Sequence, residues 1–529
     1  MDTRALGHLY TDCLVIGTGV AGMRVALEAA GGGKVILLAK DELVDSNTYF
    51  AQGGIAAVLE ASDSIEEHVR DTLQTGGELC DRAVVEMVIS RGPEQIDQLC
   101  RWSAPLDMAG GKIVAGREGG HSRARIAHAL GDATGKAIVH AMAEPVRKEG
   151  NIKLFEHCYC IDLLTHDGRC CGVICYHPRH GLQCIWARQI VLASGGAGRL
   201  YRETTNPVGA TADGLAMAYR AGAVLRDVEF VQFHPTTLYV AGATRALITE
   251  AIRGEGGVLI DRMGKRFMPD YHEMADLAPR DVVSRAIYEQ MAKTKSTHVF
   301  LDVRHLGREF VAQRFPTIYE LCQAFGIDVE NDAIPVRPSG HYMIGGVKTD
   351  IDGRTNLTNL YCCGEAASTG LHGSNRLASN SLLEGMVFGQ ICGQNIAEHL
   401  KSTPNEIQRR KIISDIPRSD RTELDIADVA SSLRSVMTRN VGVERRADRL
   451  AETIEIVDFW QRYVMDKVFD DPDGWQCQNM LTVSRLIVQS ALERTESRGV
   501  HYRTDFVERD DTRFRRHIEI GPSGAAPAL

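Results

Sequence analysis

Several features that would place the 529-residue chain in particular protein classes are missing from its sequence. Its 60 lysines and arginines are outnumbered by 69 aspartates and glutamates, so it lacks the basic surplus with which sequence-independent nucleic-acid binders neutralise phosphates. No apolar run approaches the roughly 18 residues that span a bilayer, and the start of the chain contains no apolar core of a secretory signal. We therefore expect a cytoplasmic protein with neither a nucleic-acid partner nor a membrane anchor.

The chain also lacks a CxxC pair, although it contains fourteen cysteines. These are scattered, and two pairs are directly adjacent, Cys170 with Cys171 and Cys362 with Cys363, which suits few structural disulfides. Because no metal-ligand spacing occurs, we expect no iron-sulfur or zinc site. The cysteines are predicted to be thiols packed in the core of a reduced cytosolic protein. Those between Cys158 and Cys184 match no functional motif.

The remaining composition is ordinary for a soluble globular protein, with 44% hydrophobic and 24% charged residues. At about 150 residues per domain, the length predicts roughly two to four domains. Glycine is the exception, because its 51 residues occur mostly in clusters. The clusters carry most of the functional information, since glycine lets a backbone approach a ligand closely.

The first glycine cluster lies in the segment 12–40, which is predicted to form a β-α-β unit. The apolar run CLVI leads into GTGVAG at 17–22, a helical stretch and a second apolar run, KVILLA. The first glycine permits a tight turn, the second lets the backbone approach a pyrophosphate, and the third lets helix and strand pack closely. This pattern predicts a nucleotide site. Lys40 stands where an NAD enzyme would carry a ribose-binding acid, which argues against a plain NAD enzyme.

The rest of the chain suggests further units around this one. Residues 151–196 are interpreted as a small antiparallel insert that returns to the main sheet, and 230–341 as mixed helix and loop. A strand at 359–363 is expected to rejoin the first sheet, and a helix is expected at 381–399. After Pro404 the helical spacing of Arg, Glu and Leu predicts a helical domain, with a disordered tail GPSGAAPAL.

Seven short polar clusters are not explained by packing. Each has an ordinary structural alternative when it is taken singly. His234 could be a loop histidine bonded to backbone, and Asn375 with Arg376 could cap a turn. Arg280 could pair with Asp281 at a helix start. Glu250 and Arg253 could lie on a solvated helix face. The clusters are SNTYFAQGG (46–54), REGGHS (117–122), FHPT (233–236), TEAIRGEG (249–256), APRD (278–281), HYMIGG (341–346) and HGSNRLASNS (372–381).

Taken together and in this order, the clusters, with CCGEAAS before the last of them and ESRGVHY near the C-terminus, resemble the flavoprotein family of fumarate reductase, succinate dehydrogenase and L-aspartate oxidase. The resemblance runs from about residue 12 to residue 502. It implies an α/β fold with a discontinuous Rossmann-like FAD-binding domain (1–228 and 343–412), an inserted α+β capping domain (229–342) and a C-terminal helical domain with a disordered tail (413–529). A basic residue at the position of Lys40 is usual in this family.

The resemblance also implies which residues contact FAD. Succinate dehydrogenases carry a histidine that binds FAD covalently where Asn47 stands, so the FAD is predicted to be noncovalent. Glu365, directly after a strand, can accept from a ribose hydroxyl. The implied FAD contacts are Gly17, Thr18, Gly19, Val20, Ala21, Gly22, Lys40, Asn47, Thr48, Tyr49, Phe50, Ala51, Gln52, Gly53, Gly54, Asp213, Glu365, Ser381 and Leu382.

The substrate site follows from the same resemblance. A C4 dicarboxylate needs donors at both ends, and arginine can hold a carboxylate bidentately. Arg280 matches the proton-transfer arginine of the family, and Glu250 and Arg253 are expected to form its relay. Glu118 stands where L-aspartate oxidases carry a glutamate that would pair with the α-ammonium. The implied substrate-binding residues are Glu118, His234, Thr249, His341, Arg376 and Ser379.

The expected reaction is the oxidation of L-aspartate to iminoaspartate, with oxygen or fumarate as electron acceptor. This would be the first step of quinolinate and NAD synthesis, with a transient hand-over of the imine to quinolinate synthase. One alternative is a flavoprotein subunit of a membrane-bound succinate dehydrogenase or fumarate reductase, against which Asn47 and Glu118 argue. A second is a catalytically silent FAD-binding electron-transfer or scaffold protein, which would not need to keep the substrate residues. For Glu118 itself, the alternative is a surface pair with Arg117 or Arg123.

Overall fold

The structure is a computed structural model and describes residues 3–242, 246–404, 406–407, 409–413 and 422–521. The helices found in these ranges are α1 (Val20–Ala29), α2 (Ile65–Thr75), α3 (Arg82–Ser90), α4 (Gly92–Arg101), α5 (Thr134–Lys148), α6 (Asp213–Ala221), α7 (Ala251–Gly254), α8 (Arg280–Thr294), α9 (Arg308–Arg314), α10 (Pro316–Ala324), α11 (Asn380–Ser402), α12 (Ile426–Asn440), α13 (Ala447–Val464), α14 (Pro472–Glu493) and α15 (Asp511–Phe514).

The strands vary from two to twelve residues in length. They are β1 (Gly7–Ile16), β2 (Val35–Leu38), β3 (Ile55–Ala56), β4 (Met108–Ala109), β5 (Lys112–Ile113), β6 (Ala115–Gly116), β7 (Ile126–Ala127), β8 (Ile152–Phe155), β9 (Tyr159–His166), β10 (Arg169–His177), β11 (Gly181–Leu192), β12 (Leu225–Arg226), β13 (Val231–Leu238), β14 (Val258–Ile260), β15 (Val299–Asp302), β16 (Ile334–Met343), β17 (Gly346–Lys348), β18 (Leu360–Cys362), β19 (Ala367–Ser368) and β20 (Glu519–Ile520).

The central sheet has the strand order β8-β2-β1-β11-β10-β9, and β18 also pairs with β11. Strands β8, β2, β1, β11 and β18 are parallel, whereas β10 and β9 are antiparallel. Leu14 in β1 pairs with Ile36 on one side and Ile190 on the other, and all three are buried. A strand that is covered on both faces needs a continuous run of apolar residues. This requirement explains the apolar run CLVI in the sequence of β1.

The predicted β-α-β unit is confirmed as β1, α1 and β2. Helix α11 packs unusually close to α1, because three glycines lie one turn apart on its contacting face, Gly385, Gly389 and Gly393. A Cβ at Gly389 would lie 2.7 Å from Arg24 Cβ in α1. The return of β18 and α11 to the first sheet was also predicted, and the α/β fold class is confirmed.

Residues 230–341 differ from the interpretation as mixed helix and loop, because they contribute a four-stranded sheet of order β13-β16-β15-β14. Two of its strands contain proline, Pro235 in β13 and Pro335 with Pro338 in β16. Proline removes a ladder donor and masks a strand in the sequence. The β13–β16 pairing shifts its register between His234 and Thr237, which accommodates Pro235.

A small antiparallel sheet of order β3-β7-β6 joins three segments that matter for the site. Ile55 pairs with Ala127, and Gly116 pairs with Ile126. The Gln52-Gly53-Gly54 turn precedes β3, and the REGGHS cluster follows β6. The sheet therefore holds both clusters beside each other.

The C-terminal region is helical, as predicted, and α13 packs along α14. The tail prediction concerns residues 521–529, of which all but Gly521 lie outside the described residues. Eleven of the fourteen cysteines are buried thiols. None of the helices in the described ranges combines the length and the apolar character needed to span a membrane.

Candidate active site

The turn after β1 approaches its neighbours so closely that only glycine fits. Gly17 has a φ of +112°, and a Cβ there would lie 2.2 Å from the carbonyl oxygen of Ala193. A Cβ at Gly22 would lie 1.9 Å from the carbonyl oxygen of Gly17. The N-cap residue of helix α1, Gly19, has no side chain to cap it, and the first turn of α1 lines a cavity, where the Val20 N–H donates to Thr48 Oγ1 at 3.0 Å. Backbone N–H groups at such a helix start bind phosphates.

Three polar atoms in the wall of this cavity are buried without a hydrogen-bond partner among the described residues, Asn47 Oδ1, Gln52 Oε1 and Ser194 Oγ. An unpaired buried group costs roughly 1–3 kcal/mol, so a ligand with its own donors is indicated. The Asn47 amide nitrogen is already engaged, because it donates to Glu365 Oε2 at 2.9 Å. A flavin, which carries N–H and carbonyl groups along its ring edge, fits this arrangement.

Lys40 is fixed by four acceptors, one of which is Gln476 Oε1 at 3.1 Å from its Nζ. Its Nζ donates to Asp213 Oδ2 at 2.8 Å, to Thr211 Oγ1 at 2.8 Å and to the Gly209 carbonyl at 3.1 Å. Burial raises the pKa of Asp213, but Lys40 and the hydrogen bonds to its carboxylate lower it by more. Lys40, which stands where an NAD enzyme would carry an acidic residue, thus forms an ion pair with Asp213 beside the glycine-rich turn that forms the nucleotide cradle.

One continuous cavity joins the cradle to the predicted substrate residues. Five predicted residues are not in its wall: Gly22, Tyr49, Glu118, Glu250 and Arg253. The single-residue roles stay predictions. In its wall lie Gly17, Thr18, Gly19, Val20, Ala21, Lys40, Asn47, Thr48, Phe50, Ala51, Gln52, Gly53, Gly54, Asp213, Glu365, Ser381 and Leu382, and also His234, Thr249, Arg280, His341, Arg376 and Ser379.

Two arginines of the cavity are bridged by Gln232, which the sequence analysis did not single out. Gln232 Oε1 accepts from Arg280 Nη1 at 3.2 Å and from Arg376 Nη2 at 3.0 Å. Arg376 also donates to Ser381 Oγ at 3.2 Å, whereas its Nε has no partner among the described residues. Burial and the nearby Arg280 lower the pKa of Arg376 to about 10, so it stays protonated at neutral pH. A guanidinium with a free buried N–H is ready for a carboxylate.

Glu250 links two arginines in a continuous buried chain. Its Oε1 accepts from Arg253 Nη2 at 2.8 Å, and its Oε2 accepts from Arg280 Nε at 2.7 Å. Burial raises the pKa of Glu250, but the two guanidinium groups outweigh it and bring the pKa to about 2. The solvated-face alternative is wrong for this buried pair. The helix-start alternative is wrong too, because Asp281 pairs with Arg285 and not with Arg280.

Two histidines line the cavity side by side, with the His234 and His341 rings in an edge contact and their centroids 5.0 Å apart. His234 Nδ1 accepts from the backbone N–H of Thr236. The alternative of a histidine bonded to backbone is therefore correct for Nδ1 but does not account for Nε2. That bond leaves the other nitrogen as the one that carries the proton. Burial, followed by the nearby arginines, holds the pKa of His234 well below its usual range. Burial and His234 do the same for His341, so both rings are neutral donors.

Arg376 is also placed by a ring that the sequence analysis left unassigned. Its guanidinium lies 4.4 Å from the centroid of the Tyr342 ring, in a cation-π contact. The Tyr342 hydroxyl donates to Glu384 Oε2 at 2.9 Å. Since Arg376 faces the cavity, the turn-capping alternative is wrong for it. Tyr342 lies inside the HYMIGG cluster, which was the available signal.

Glu118 is buried, with 2% of its surface exposed, in the loop after β6. Its alternative, a surface pair with Arg117 or Arg123, is therefore wrong. Arg123 pairs instead with Glu67 at 3.1 Å, and Arg117 donates to the carbonyl of His121.

The surroundings of Glu118 place it against the glycine turn that precedes β3. Its Oε2 accepts from Ser379 Oγ at 2.6 Å, and its Oε1 lies 3.3 Å from the point where a Cβ on Gly53 would stand. Burial raises the pKa of Glu118, but His128 and then Arg280 lower it by more. The carboxylate is therefore ionised in the buried site.

Three buried guanidinium groups, those of Arg253, Arg280 and Arg376, thus share one region with two carboxylates, Glu118 and Glu250. Glu250 is committed to two of the arginines, whereas Arg376 is bonded only to neutral groups. This distribution suits a ligand with two carboxylates that also has a cationic group to meet Glu118.

The glycine cradle, the helix start and the unpartnered atoms define an FAD-binding flavoprotein. In agreement, residues 12–382 match the FAD binding domain family, and residues 430–526 match the family described as Fumarate reductase flavoprotein C-term. FAD is the cofactor of this chain.

The chain belongs to the L-aspartate oxidase family, within the fumarate reductase and succinate dehydrogenase flavoproteins. It is 41% identical to the L-aspartate oxidase of Streptomyces coelicolor, across 97% of this chain and 91% of that protein. It is 42% identical to L-aspartate oxidase 1 of Ralstonia nicotianae, across 94% of this chain and 95% of that protein. The solved FrdA chain of E. coli quinol fumarate reductase is 31% identical, with a TM-score of 0.90, and the match covers 98% of this chain and 96% of that one.

Proposed function

We propose that this protein oxidises L-aspartate to iminoaspartate, as the names of similar curated relatives suggest. The observation that carries the proposal is the ionised carboxylate of Glu118, buried beside a pair of cavity arginines, Arg280 and Arg376. The arginines supply charge for two carboxylates. Glu118 supplies charge for an α-ammonium, which succinate and fumarate lack.

In the proposed complex, Arg376 holds one carboxylate, and the neutral His234 and His341 donate to the other end with Thr249. Ser379 keeps Glu118 turned toward the ammonium through its 2.6 Å hydrogen bond. The glycine cradle would hold FAD, which would supply the acceptor for the Cα hydride. When the acceptor is fumarate, Arg280 supplies a proton, and Glu250 with Arg253 restores it along the buried chain.

We further propose that fumarate or oxygen takes the electrons, and that the imine passes to quinolinate synthase at the start of NAD synthesis in the cytoplasm. The domain division 1–228, 229–342, 343–412 and 413–529 is proposed on the grouping of the sheets. Strands β13 to β16 pair with each other, whereas β18 returns to the central sheet.

The test of the function is the substitution Glu118→Gln. We expect kcat/KM for L-aspartate to fall at least about tenfold, equivalent to roughly 1.4 kcal/mol, because the ammonium loses its charged partner. Fumarate reduction with an artificial donor should persist or improve, since fumarate has no ammonium. Both activities are measured on the same FAD-loaded preparations.

The matched control is Glu67→Gln, which removes a carboxylate paired with Arg123 on the outer side of the same loop. It should leave both activities unchanged. Equal losses toward aspartate and fumarate in Glu118→Gln would show that Glu118 is structural, and would favour a general dicarboxylate flavoenzyme.

A second prediction concerns the attachment of FAD. Asn47 has no nucleophilic side chain, and its amide nitrogen already donates to Glu365 and Asn206. We expect acid or heat precipitation to release all of the flavin into the supernatant, where its absorbance is read. Flavin fluorescence that stays with the chain through denaturing electrophoresis would contradict a noncovalent FAD.

The alternative of a succinate dehydrogenase or fumarate reductase subunit predicts the opposite selectivity. Succinate left beside Glu118 would face a desolvated carboxylate without a partner, which costs on the order of several kcal/mol. Anaerobic mixing with L-aspartate, D-aspartate, L-glutamate and succinate, followed by flavin absorbance, separates the two functions. Bleaching by succinate alone would decide for the alternative.

A further inference from the structure

Glu118 has a buried neighbour that the proposed function does not yet use. His128 directly follows β7 and is 2% exposed, and its Nε2 lies 3.6 Å from Glu118 Oε1. Neither of these two buried atoms has a hydrogen-bond partner elsewhere in the described part of the chain. The 3.6 Å distance is longer than an ordinary hydrogen bond. Because both atoms are buried and unpaired, a proton bound between them would satisfy both.

The fold holds this pair close to the Gly53 turn, which lines the cavity. The β3-β7-β6 sheet places Gly53, Glu118 and His128 at the ends of neighbouring strands. Gly116, at the end of β6, makes room for the imidazole, because a Cβ there would lie 2.6 Å from His128 Cε1. Glu118 Oε1 thus lies 3.3 Å from the point where a Cβ on Gly53 would stand and 3.6 Å from His128 Nε2.

We propose that His128 takes, through Glu118, the proton that the substrate's α-ammonium must lose. This inference rests on the proposed function. An ammonium nitrogen has no free electron pair, so it cannot form the C=N bond when the Cα hydrogen leaves as a hydride. One N–H bond of the ammonium breaks, the proton passes along Glu118, and a new N–H bond forms at His128 Nε2. The freed nitrogen pair forms the C=N bond as the Cα hydrogen leaves with both electrons of its bond, as a hydride for which FAD would be the acceptor.

His128 acts through Glu118 and is therefore a positioning residue that holds the proton. Other charged or titratable groups surround the pair. Glu250 has a pKa of about 2 and Arg376 of about 10, and burial lowers the pKa of His121. The groups near Glu118 include Glu250, Arg280, Arg376 and His121, and Asp107 and Arg314 lie next to the His128 segment, where Arg314 pairs with Glu255.

Binding of an unreactive ligand tests the proton on His128 apart from turnover. The probe is 2-methyl-L-aspartate, which keeps the ammonium and both carboxylates but has no Cα hydrogen to lose. Its dissociation constant is measured from flavin absorbance between about pH 6 and pH 9, next to that of succinate. In the unaltered protein it should rise at least about tenfold toward acid, because protonated His128 cancels the charge of Glu118. The constant for succinate should show no such rise, and in His128→Asn the rise should disappear.

Turnover provides the second measurement. In His128→Asn, kcat/KM for L-aspartate at about neutral pH should fall at least about tenfold and its acid limb should shift, whereas fumarate reduction keeps its rate and pH profile. The matched control is His166→Asn, which removes a half-exposed imidazole 3.2 Å from Asp167. If His128→Asn does not fold, Gly116→Ala displaces the same ring and should cause the same loss of the acid-side rise.

The outcomes separate the two levels of the proposal. An unchanged pH profile in His128→Asn, or equal losses toward aspartate and fumarate, would overturn the role of His128 and leave the proposed function intact. Failure of L-aspartate to bleach the flavin of the unaltered protein would instead overturn the proposed function.

Discussion

Replacing Arg280 by leucine is expected to lower fumarate reduction by about a hundredfold to ten-thousandfold, the range that a general acid contributes. The reason is that Arg280 is the cavity-lining end of a buried chain, with Glu250 at 2.7 Å and Arg253 behind it. Without the guanidinium, no proton reaches fumarate along this chain. Succinate should still inhibit, because Arg376 keeps its own contacts to Gln232 and Ser381. Steady-state reduction of fumarate with a reduced dye measures the loss.

The same substitution leaves Glu250 buried with Arg253 as its one remaining guanidinium partner from the chain. Removing one partner of a buried ion pair destabilises a protein, so thermal unfolding and flavin content must be recorded beside the activity. The matched control is Arg304→Leu, which breaks an exposed pair with Asp302 in the same inserted segment and should leave fumarate reduction unchanged. Survival of fumarate reduction in Arg280→Leu would remove the proton-donor role. An intermediate rate in Arg280→Lys would support it.

The parts of the site that sequence analysis could find are those encoded by local sterics. Gly17 has a positive φ in the turn after β1, and Gly22 is required by a clash with the Gly17 carbonyl within the same β-α-β unit. The clusters with Glu250 and Arg376 stood out because glycines and charges occur together in them, and the cluster with Arg280 because a proline precedes its charged pair. A pattern of this kind predicts a ligand without fixing any contact between clusters.

The remaining contacts depend on pairs that are far apart in the chain. Gln232 meets Arg376 across 144 residues, and Ser379 meets Glu118 across 261. The surface and buried alternatives for Glu118 could not be separated until the β3-β7-β6 sheet placed its loop. Strands β13 and β16 were not predicted because they contain proline, which is rare within strands. The register shift that accommodates Pro235 is visible only in the structure. His128 lies in none of the sequence motifs, and its proposed role depends on its position 3.6 Å from Glu118 in the structure.

Replacing Arg376 by alanine is expected to weaken succinate binding about tenfold to a hundredfold or more, while the chain keeps its FAD. A charge-assisted hydrogen bond is worth about 1.5–3 kcal/mol, and more when the partners are desolvated as they are here. Arg376 is 3% exposed, its Nε is unpaired among the described residues, and the Tyr342 ring holds it in place. The affinity is read from the inhibition of L-aspartate oxidation by succinate and from flavin absorbance on direct titration.

Arg354→Ala is the matched control, because it removes an exposed arginine paired with Asp352 and lies outside the cavity wall. It should leave the succinate constant unchanged. Arg376→Lys should recover part of the affinity, since lysine keeps the charge but cannot offer two parallel N–H groups to one carboxylate. If succinate inhibits Arg376→Ala as well as the unaltered protein, the carboxylate is held elsewhere, and His234 with His341 and Thr249 would have to bind both ends without a buried cation.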